Sequence, residues 1–222
     1  MSATGNFDRA QLTESLRQGV VQLRLPLEPT TIDALIDYLA LLSKWNAVYN
    51  LTAVRDPQQM VSQHLLDSLA AVPALLRAGR VLDVGAGGGL PGMVLALCAR
   101  QLAPELSVDM IDTVHKKTAF LTQAKVELGL SNVTVHTARV EQLRVKQLFD
   151  VITSRAFSEL ADFVTWSGHL LAPGGKFLAM KGVLPSAEIG RLPAPWVVTR
   201  IEQLHVPSLD AERHLVTIER QS

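Results

Sequence analysis

Apolar residues recur at spacings of three and four through Ile32, Leu35, Ile36, Leu39 and Leu42, the period of one helix face, and the pattern runs to about Tyr49. Asp56-Pro57 then opens a second helix, with Asp as N-cap and Pro at the first helical position. Met60, Val61, Leu65, Leu69 and Val72 carry its stripe to about Leu76. From Arg80 the period changes. Short apolar runs at 81–84, 106–111, 133–136, 149–153 and 176–180 alternate with helical stretches at 91–100, 116–128, 140–146 and 159–171. Such alternation predicts βαβ units with right-handed crossovers, hence a parallel sheet covered by helices on both faces. Two more strand-like runs, 196–204 and 214–219, are separated by a loop containing Pro207 and no clear helix, which predicts an antiparallel edge pair. The expected fold is α/β: a doubly wound, mostly parallel sheet of seven strands over 79–222, with a helical N-terminal extension over 1–78, all in one domain.

Length and composition agree with a single core. The chain has 222 residues, of which 48% are hydrophobic, enough for one good-sized core and too few for two full domains. The longest uninterrupted apolar run, Met93 to Ala99, is far short of a membrane span, and no signal-like segment precedes it. A soluble, cytoplasmic, monomeric protein without a membrane partner is expected. Cys98, the only cysteine, excludes an internal disulfide and leaves no Cys cluster for zinc; no metal site is expected, and buried packing is its natural role. Lys plus Arg and Asp plus Glu balance at 21 each, so no overall field steers the chain toward nucleic acid, although a local patch stays open.

The densest chemical signal is Val81-Leu82-Asp83-Val84-Gly85-Ala86-Gly87-Gly88-Gly89-Leu90-Pro91-Gly92, a strand running through glycines into a helix. Glycine admits positive φ and has no Cβ to hold a ligand away, so Gly85, Gly87, Gly88 and Gly89 suit tight reversal and close backbone approach. A sharp turn without a ligand is the plainer alternative, but a turn alone needs one or two glycines. In a doubly wound sheet, ligands sit beyond the carboxyl ends of the strands, where Gly85, Asp112, the segment 138–141 and Ser154-Arg155 are expected to converge. Asp112 lies 23 residues after Gly89, close to the spacing at which a carboxylate accepts from ribose hydroxyls; a solvated strand-end carboxylate is the alternative.

A literal G-x-G-x-x-G falls at Gly87, Gly89 and Gly92, a weak signal shared by dinucleotide and S-adenosylmethionine sites. Asp83 bears on the choice. A full charge there would oppose a pyrophosphate by roughly 4 kcal/mol at about 4 Å and an effective dielectric near 20, and would favour a cationic sulfonium. Val140, through its backbone N–H, and Glu141, through its carboxylate, are placed to read adenine; Glu141 alternatively complements a helix dipole. Arg155 is placed to fork onto a carboxylate or phosphate of ligand or substrate, or else to form a structural ion pair. No Cys follows the fourth strand, and no Asp/Asn-Pro-Pro-aromatic run stands there, which leaves methylation of an atom that is already nucleophilic. Guanine N7 is such an atom, and because it carries no proton, no catalytic base is assigned.

Several stretches together resemble the bacterial GidB/RsmG family: Lys44-Trp45-Asn46, Tyr49 through Pro57, His64-Leu65-Leu66-Asp67-Ser68, Asp83 to Gly92, Lys116-Lys117 with Phe120-Leu121, Ser154-Arg155-Ala156, Lys181-Gly182 and Arg213-His214-Leu215-Val216. The Asn-Leu-Thr, His-x-x-Asp-Ser and Arg-His-Leu-Val elements are specific to that family. The resemblance implies a Rossmann-like class I methyltransferase fold and transfer of the methyl group of S-adenosyl-L-methionine to N7 of a guanine in 16S ribosomal RNA, free or in the 30S subunit. It implies cofactor contacts at Gly85, Leu90, Val140, Glu141 and Arg155, which add to Asp83, Gly87, Gly89 and Asp112, and an RNA-facing surface at Arg55, His64, Lys181 and Arg213. A core role for His64 and an ordinary strand-end role for Lys181 remain alternatives. Two other functions fit the residues: a small-molecule methyltransferase with the extension as a lid, or an S-adenosylmethionine-binding regulatory protein without turnover. Asp109, mid-strand in an apolar run, has no explanation in the sequence.

Overall fold

The computed structural model describes residues 6–155, 157 and 159–221, so Ala156 of the Ser154-Arg155-Ala156 stretch lies outside the described residues. Three helical segments precede the sheet. The first, α1 (Arg9–Gln22), is not among the expected helices; Asp8 caps it by accepting from Gln11 N at 3.1 Å, and it buries Leu12, Leu16 and Val20. The second, α2 (Pro29–Tyr49), buries Ile32, Leu35, Ile36, Leu39 and Leu42, the face the spacing predicts, and ends at Asn50 in the left-handed conformation. The third begins as expected, with Asp56 accepting from Gln58 N at 2.7 Å and Pro57 at the first position of α3 (Pro57–Met60). It is not one continuous α-helix: a π-helical turn over Val61–Leu66 separates α3 from α4 (Asp67–Leu75).

The sheet contains β1 (Arg80–Val84), β2 (Ser107–Asp112), β3 (Val133–Thr137), β4 (Phe149–Ser154), β5 (Leu171–Lys181), β6 (Trp196–Gln203) and β7 (His214–Arg220). Their order is β3-β2-β1-β4-β5-β7-β6, parallel from β3 through β5 and antiparallel where β7 meets β5 and β6. The chain moves outward from β1 to β3 on one side and from β4 to β5 on the other. The carboxyl ends of β1 and β4 therefore flank the topological switch point, where open α/β sheets bind ligands.

One face of the sheet packs on the extension, α5 (Gly92–Leu102) and α6 (His115–Glu127); the other packs on α7 (Leu160–Ser167) around Phe149, Phe163, Phe177 and Trp196. Helix α5 is apolar on all sides and buried from Gly92 through Ala99, because the sheet covers one side and the extension helices the other. Cys98 lies inside it, and burial pushes its thiol up to about 12.

The expected helix at 140–146 is a single 3-10 turn, Val140–Gln142, after which Leu143 is extended. No helix from this connection lies over the β2–β3 side of the sheet, and that accounts for Asp109. Its buried carboxylate takes Arg80 Nη2 at 3.1 Å and His136 Nε2 at 2.7 Å, bridging β1 and β3 across β2, while the Arg80 guanidinium stacks over Phe149.

Candidate functional site

Strand β1 ends in a loop that only glycine builds easily. Gly85, Gly87 and Gly89 hold φ of 69°, 57° and 91°, values that strain an L side chain. Gly92 is required by space: a Cβ there would lie 2.7 Å from Met110 Sδ and 2.8 Å from Asp83 Oδ2, so the start of α5 presses directly against β1 and β2.

Most of the loop's backbone donors are spent inside the protein. Gly85 N and Ala86 N donate to the Ile111 carbonyl at 2.9 and 3.1 Å, and Gly89 N donates to the Ala86 carbonyl at 2.7 Å. Gly87 N donates to Asp112 Oδ2 at 3.0 Å, and Gly92 N to Asp83 Oδ2 at 2.9 Å. A pyrophosphate site needs such N–H groups pointing outward at a helix start. Here the loop presents shape and α-carbon surface instead.

Asp83 is therefore not the ligand-facing charge expected from the sequence. It is fully buried beneath the loop, and burial raises its carboxyl to about 7. The inward-turned amides of Gly85, Ala86, Gly87, Gly89, Leu90 and Gly92, rather than a charge on Asp83, are what disfavours a pyrophosphate here.

Beside the loop opens a cavity of about 310 Å3 whose walls include Val84, Gly85, Ile111, Asp112, Val140, Glu141 and Trp166. The structure thus gathers four predicted residues, Gly85, Asp112, Val140 and Glu141, at one site. Gly87, Gly89 and Leu90 shape the loop behind it and do not line it. Asp112 accepts from Gly87 N and, at 2.8 Å, from Val114 N, with Lys117 Nζ 3.5 Å away. Trp166 at the rim, 41% exposed and edge-on to Phe157, has no counterpart in the sequence-based expectation. Apolar walls, the bare backbone of Gly85 and two carboxylates, with Lys117 and Arg139 beside them, suit an adenosine, whose base is apolar on its faces and polar at its edge and ribose.

Arg155 does not line this cavity. It opens onto a second one, about 350 Å3, lined by Gln63, His64, Asp67, Arg155, Met180, Lys181, Gly182 and Arg213. Three of the four RNA-facing residues expected from the resemblance meet there. The fourth, Arg55, is exposed, donates to Asn50 Oδ1 at 2.6 Å and lines neither cavity.

Within the second cavity the groups are largely engaged. His64 is buried on the π-helical turn with Nε2 2.9 Å from Thr52 Oγ1, and desolvation with the nearby Arg155 charge lowers it to about 4, so it is neutral near pH 7. Lys181 Nζ donates to the Phe157 carbonyl at 3.0 Å and to Glu188 Oε2 at 2.6 Å; Glu188 also accepts from Leu160 N at 2.9 Å, which ties β5 to the segment before α7. Asp67 takes both arginines, Arg155 Nη1 at 2.9 Å and Arg213 Nε at 2.6 Å.

Comparison with known proteins identifies the lineage. The family model for rRNA small subunit methyltransferase G matches residues 31–216. The chain belongs to this family. Proteins named "Ribosomal RNA small subunit methyltransferase G" are 65% identical in Herminiimonas arsenicoxydans, over 96% of this chain and 98% of that protein, and 53% identical in Cupriavidus pinatubonensis, over 97% of each. The family's fold is shared more widely. A putative O-methyltransferase from Klebsiella pneumoniae superposes with a TM-score of 0.58 at 14% identity, over 96% of this chain and 99% of that one. TomG, an O-methyltransferase from Streptomyces achromogenes solved with S-adenosylmethionine, gives 0.58 at 15% identity, over 97% and 99% of the two chains. Among the described residues no cluster of His, Cys, Asp and Glu is arranged to hold a metal, and no helix is long and apolar enough to cross a membrane.

Proposed function

We propose that this protein methylates N7 of a guanine in 16S ribosomal RNA with S-adenosyl-L-methionine as donor, acting as a monomer in the cytoplasm on the rRNA of the 30S subunit. The observation that carries the reading is the pairing of two cavities across the switch point. One follows β1, β2 and β3 and fits an adenosine; the other follows β4 and β5 and presents arginines suited to RNA phosphate or base oxygen. Ser154 Oγ donates to the Val84 carbonyl at 2.7 Å, so the two strand ends between them are fastened together.

In this reading Asp112 accepts from the ribose hydroxyls, Val140 N–H and Glu141 take the adenine edge, and Gly85 admits the ligand against the backbone. Asp83, Gly87, Gly89 and Leu90 act by holding the loop. Arg155 and Arg213 face the RNA, with His64 beside them as a neutral hydrogen-bonding group; Lys181 holds the segment before α7, and Arg55 contributes from the surface outside both cavities. The bound cofactor supplies a methyl group made electrophilic by its sulfonium. Guanine N7 has a free lone pair and no proton to lose, so the chain's contribution is alignment, an effect worth on the order of 7–11 kcal/mol. The extension acts with the sheet as one domain, since Tyr38 and Asp67 both reach core residues.

The test is incubation with methyl-labelled cofactor and 30S subunits or 16S rRNA from a strain lacking its own enzyme. Label at N7 of a guanine is expected. Cofactor binding with no label in rRNA overturns the substrate assignment.

A further inference from the structure

We infer that Asp67 is a positioning residue for substrate: its carboxylate sets the two arginines of the second cavity in the orientation that receives RNA. This rests on the proposed rRNA substrate and adds a residue to which neither motif nor cavity had assigned a role. Asp67 opens α4 directly after the π-helical turn, and its side chain is 2% exposed. Arg155 comes from the end of β4, 88 residues away, and Arg213 from just before β7, 146 residues away, yet their nitrogens take its two oxygens separately, at 2.9 and 2.6 Å.

Each guanidinium is also fixed by a backbone carbonyl. Arg155 Nη1 donates to the Gln63 carbonyl at 2.9 Å, and Arg213 Nη1 to that of Glu212 at 2.8 Å. Among the described residues Nη2 of each arginine makes no hydrogen bond, and both side chains line the cavity. One carboxylate between two guanidiniums leaves a net positive pair whose forks are already ordered. A flexible arginine loses rotamer freedom when it grips an anion; here that loss occurs on folding and not on RNA binding. Gln63 and His64 on the π-helical turn and Asp67 at the start of α4 all border the cavity.

The experiment compares Asp67→Asn, which keeps shape and removes charge, with Arg213→Gln and the double variant, in the full-length protein. Readouts are S-adenosylmethionine affinity, RNA binding by filter retention across a salt series, and KM and kcat for 30S subunits. Asp67→Asn is expected to raise the RNA KM about tenfold, the scale of one lost charge-assisted hydrogen bond. Cofactor affinity should stay within about twofold of the parent, and Asp67→Asn should cost less once Arg213 is already Gln, because only Arg155 is then left for Asp67 to orient. Unchanged RNA KM and salt slope in Asp67→Asn, or losses that add fully in the double variant, overturn the role. If Asp67→Asn fails to fold, Asp67→Glu decides in its place: restored folding with parental RNA binding despite the displaced carboxylate also overturns it. A parent that neither binds nor labels rRNA overturns the substrate reading and this role together, whereas an active parent with an indifferent Asp67→Asn overturns this role alone.

Discussion

Tyr38 Oη donates a 2.5 Å hydrogen bond to the Gly88 carbonyl, which ties the second helix of the extension to the apex of the glycine loop. Tyr38 is fully buried, and desolvation raises its hydroxyl well above the ordinary tyrosine range, so it stays a donor at every working pH. Leu42, one turn further along α2, packs where a Cβ on Gly88 would lie, 3.1 Å from its Cδ1. Tyr38→Phe leaves a buried carbonyl unpaired and should cost about 1–3 kcal/mol. Urea unfolding reads that loss, and calorimetry should show weaker S-adenosylmethionine binding because the loop is less fixed. Parental values in both measurements would reduce the extension to a passive cover.

Gly92→Ala tests the contact beneath the same loop. Its Cβ would meet Met110 and Asp83 Oδ2, and the latter is held by Gly92's own N–H, so relief must move β1 or α5. The expected cost is about 1–3 kcal/mol, with weakened cofactor binding. Gly129→Ala is the control: φ is +63° but nothing lies within 4 Å of the new Cβ. It should cost about 1–2 kcal/mol from backbone strain and leave cofactor affinity unchanged. Equal effects of both substitutions on binding would show that the Gly92 contact does not govern the site.

Two buried groups give opposing pH dependences. Asp83 titrates near 7 when folded against 3.8 when unfolded, so over that window the folded state holds the extra proton and stability falls as pH rises. His64 titrates near 4 when folded against 6.5 when unfolded, so the unfolded state holds the extra proton and stability falls as pH drops. Between about 4 and 6.5 the two slopes, each at most about 1.4 kcal/mol per pH unit, offset one another. Relative to the parent, Asp83→Asn should gain stability as pH rises from 4 to 7, and His64→Gln as pH falls from 6.5 to 4. Denaturant midpoints measured across that range check both signs, and curves parallel to the parent's would refute the assigned pKa shifts.

The strands were legible because buried parallel strands are largely apolar runs, and all five parallel ones overlap those runs, although β5 begins at Leu171, five residues before the run at 176–180 and inside the stretch expected to be helical. Strand order is not written locally: nothing in 196–220 says that β7 inserts between β5 and β6. The π turn was hidden because Met60, Val61, Leu65 and Leu66 offer apolar residues to either register. Asp83 was misread for a reason the sequence did contain. Strand residues alternate faces, so Asp83 points with Val81 toward α5, while Val84 points with Leu82 toward the side that holds the cavity. Asp67's pairing with residues 88 and 146 positions away is a product of the fold alone.

Asp112 and Glu141 share the cofactor cavity but differ in what they hold up. Each Asp112 oxygen already accepts a backbone N–H, from Gly87 and Val114, so Asp112→Asn turns an amide N–H2 toward one of those donors. It should lower stability by about 1–3 kcal/mol and weaken the cofactor as well. Among the described residues the Glu141 carboxylate makes no hydrogen bond or ion pair. Glu141→Gln should therefore leave the unfolding midpoint in place while S-adenosylmethionine affinity falls about 10- to 100-fold, the value of one charge-assisted bond to the adenine amine. Calorimetric titration beside thermal unfolding separates the two. A Glu141→Gln protein that binds the cofactor as the parent does would move adenine recognition to the Val140 backbone and the Trp166 ring.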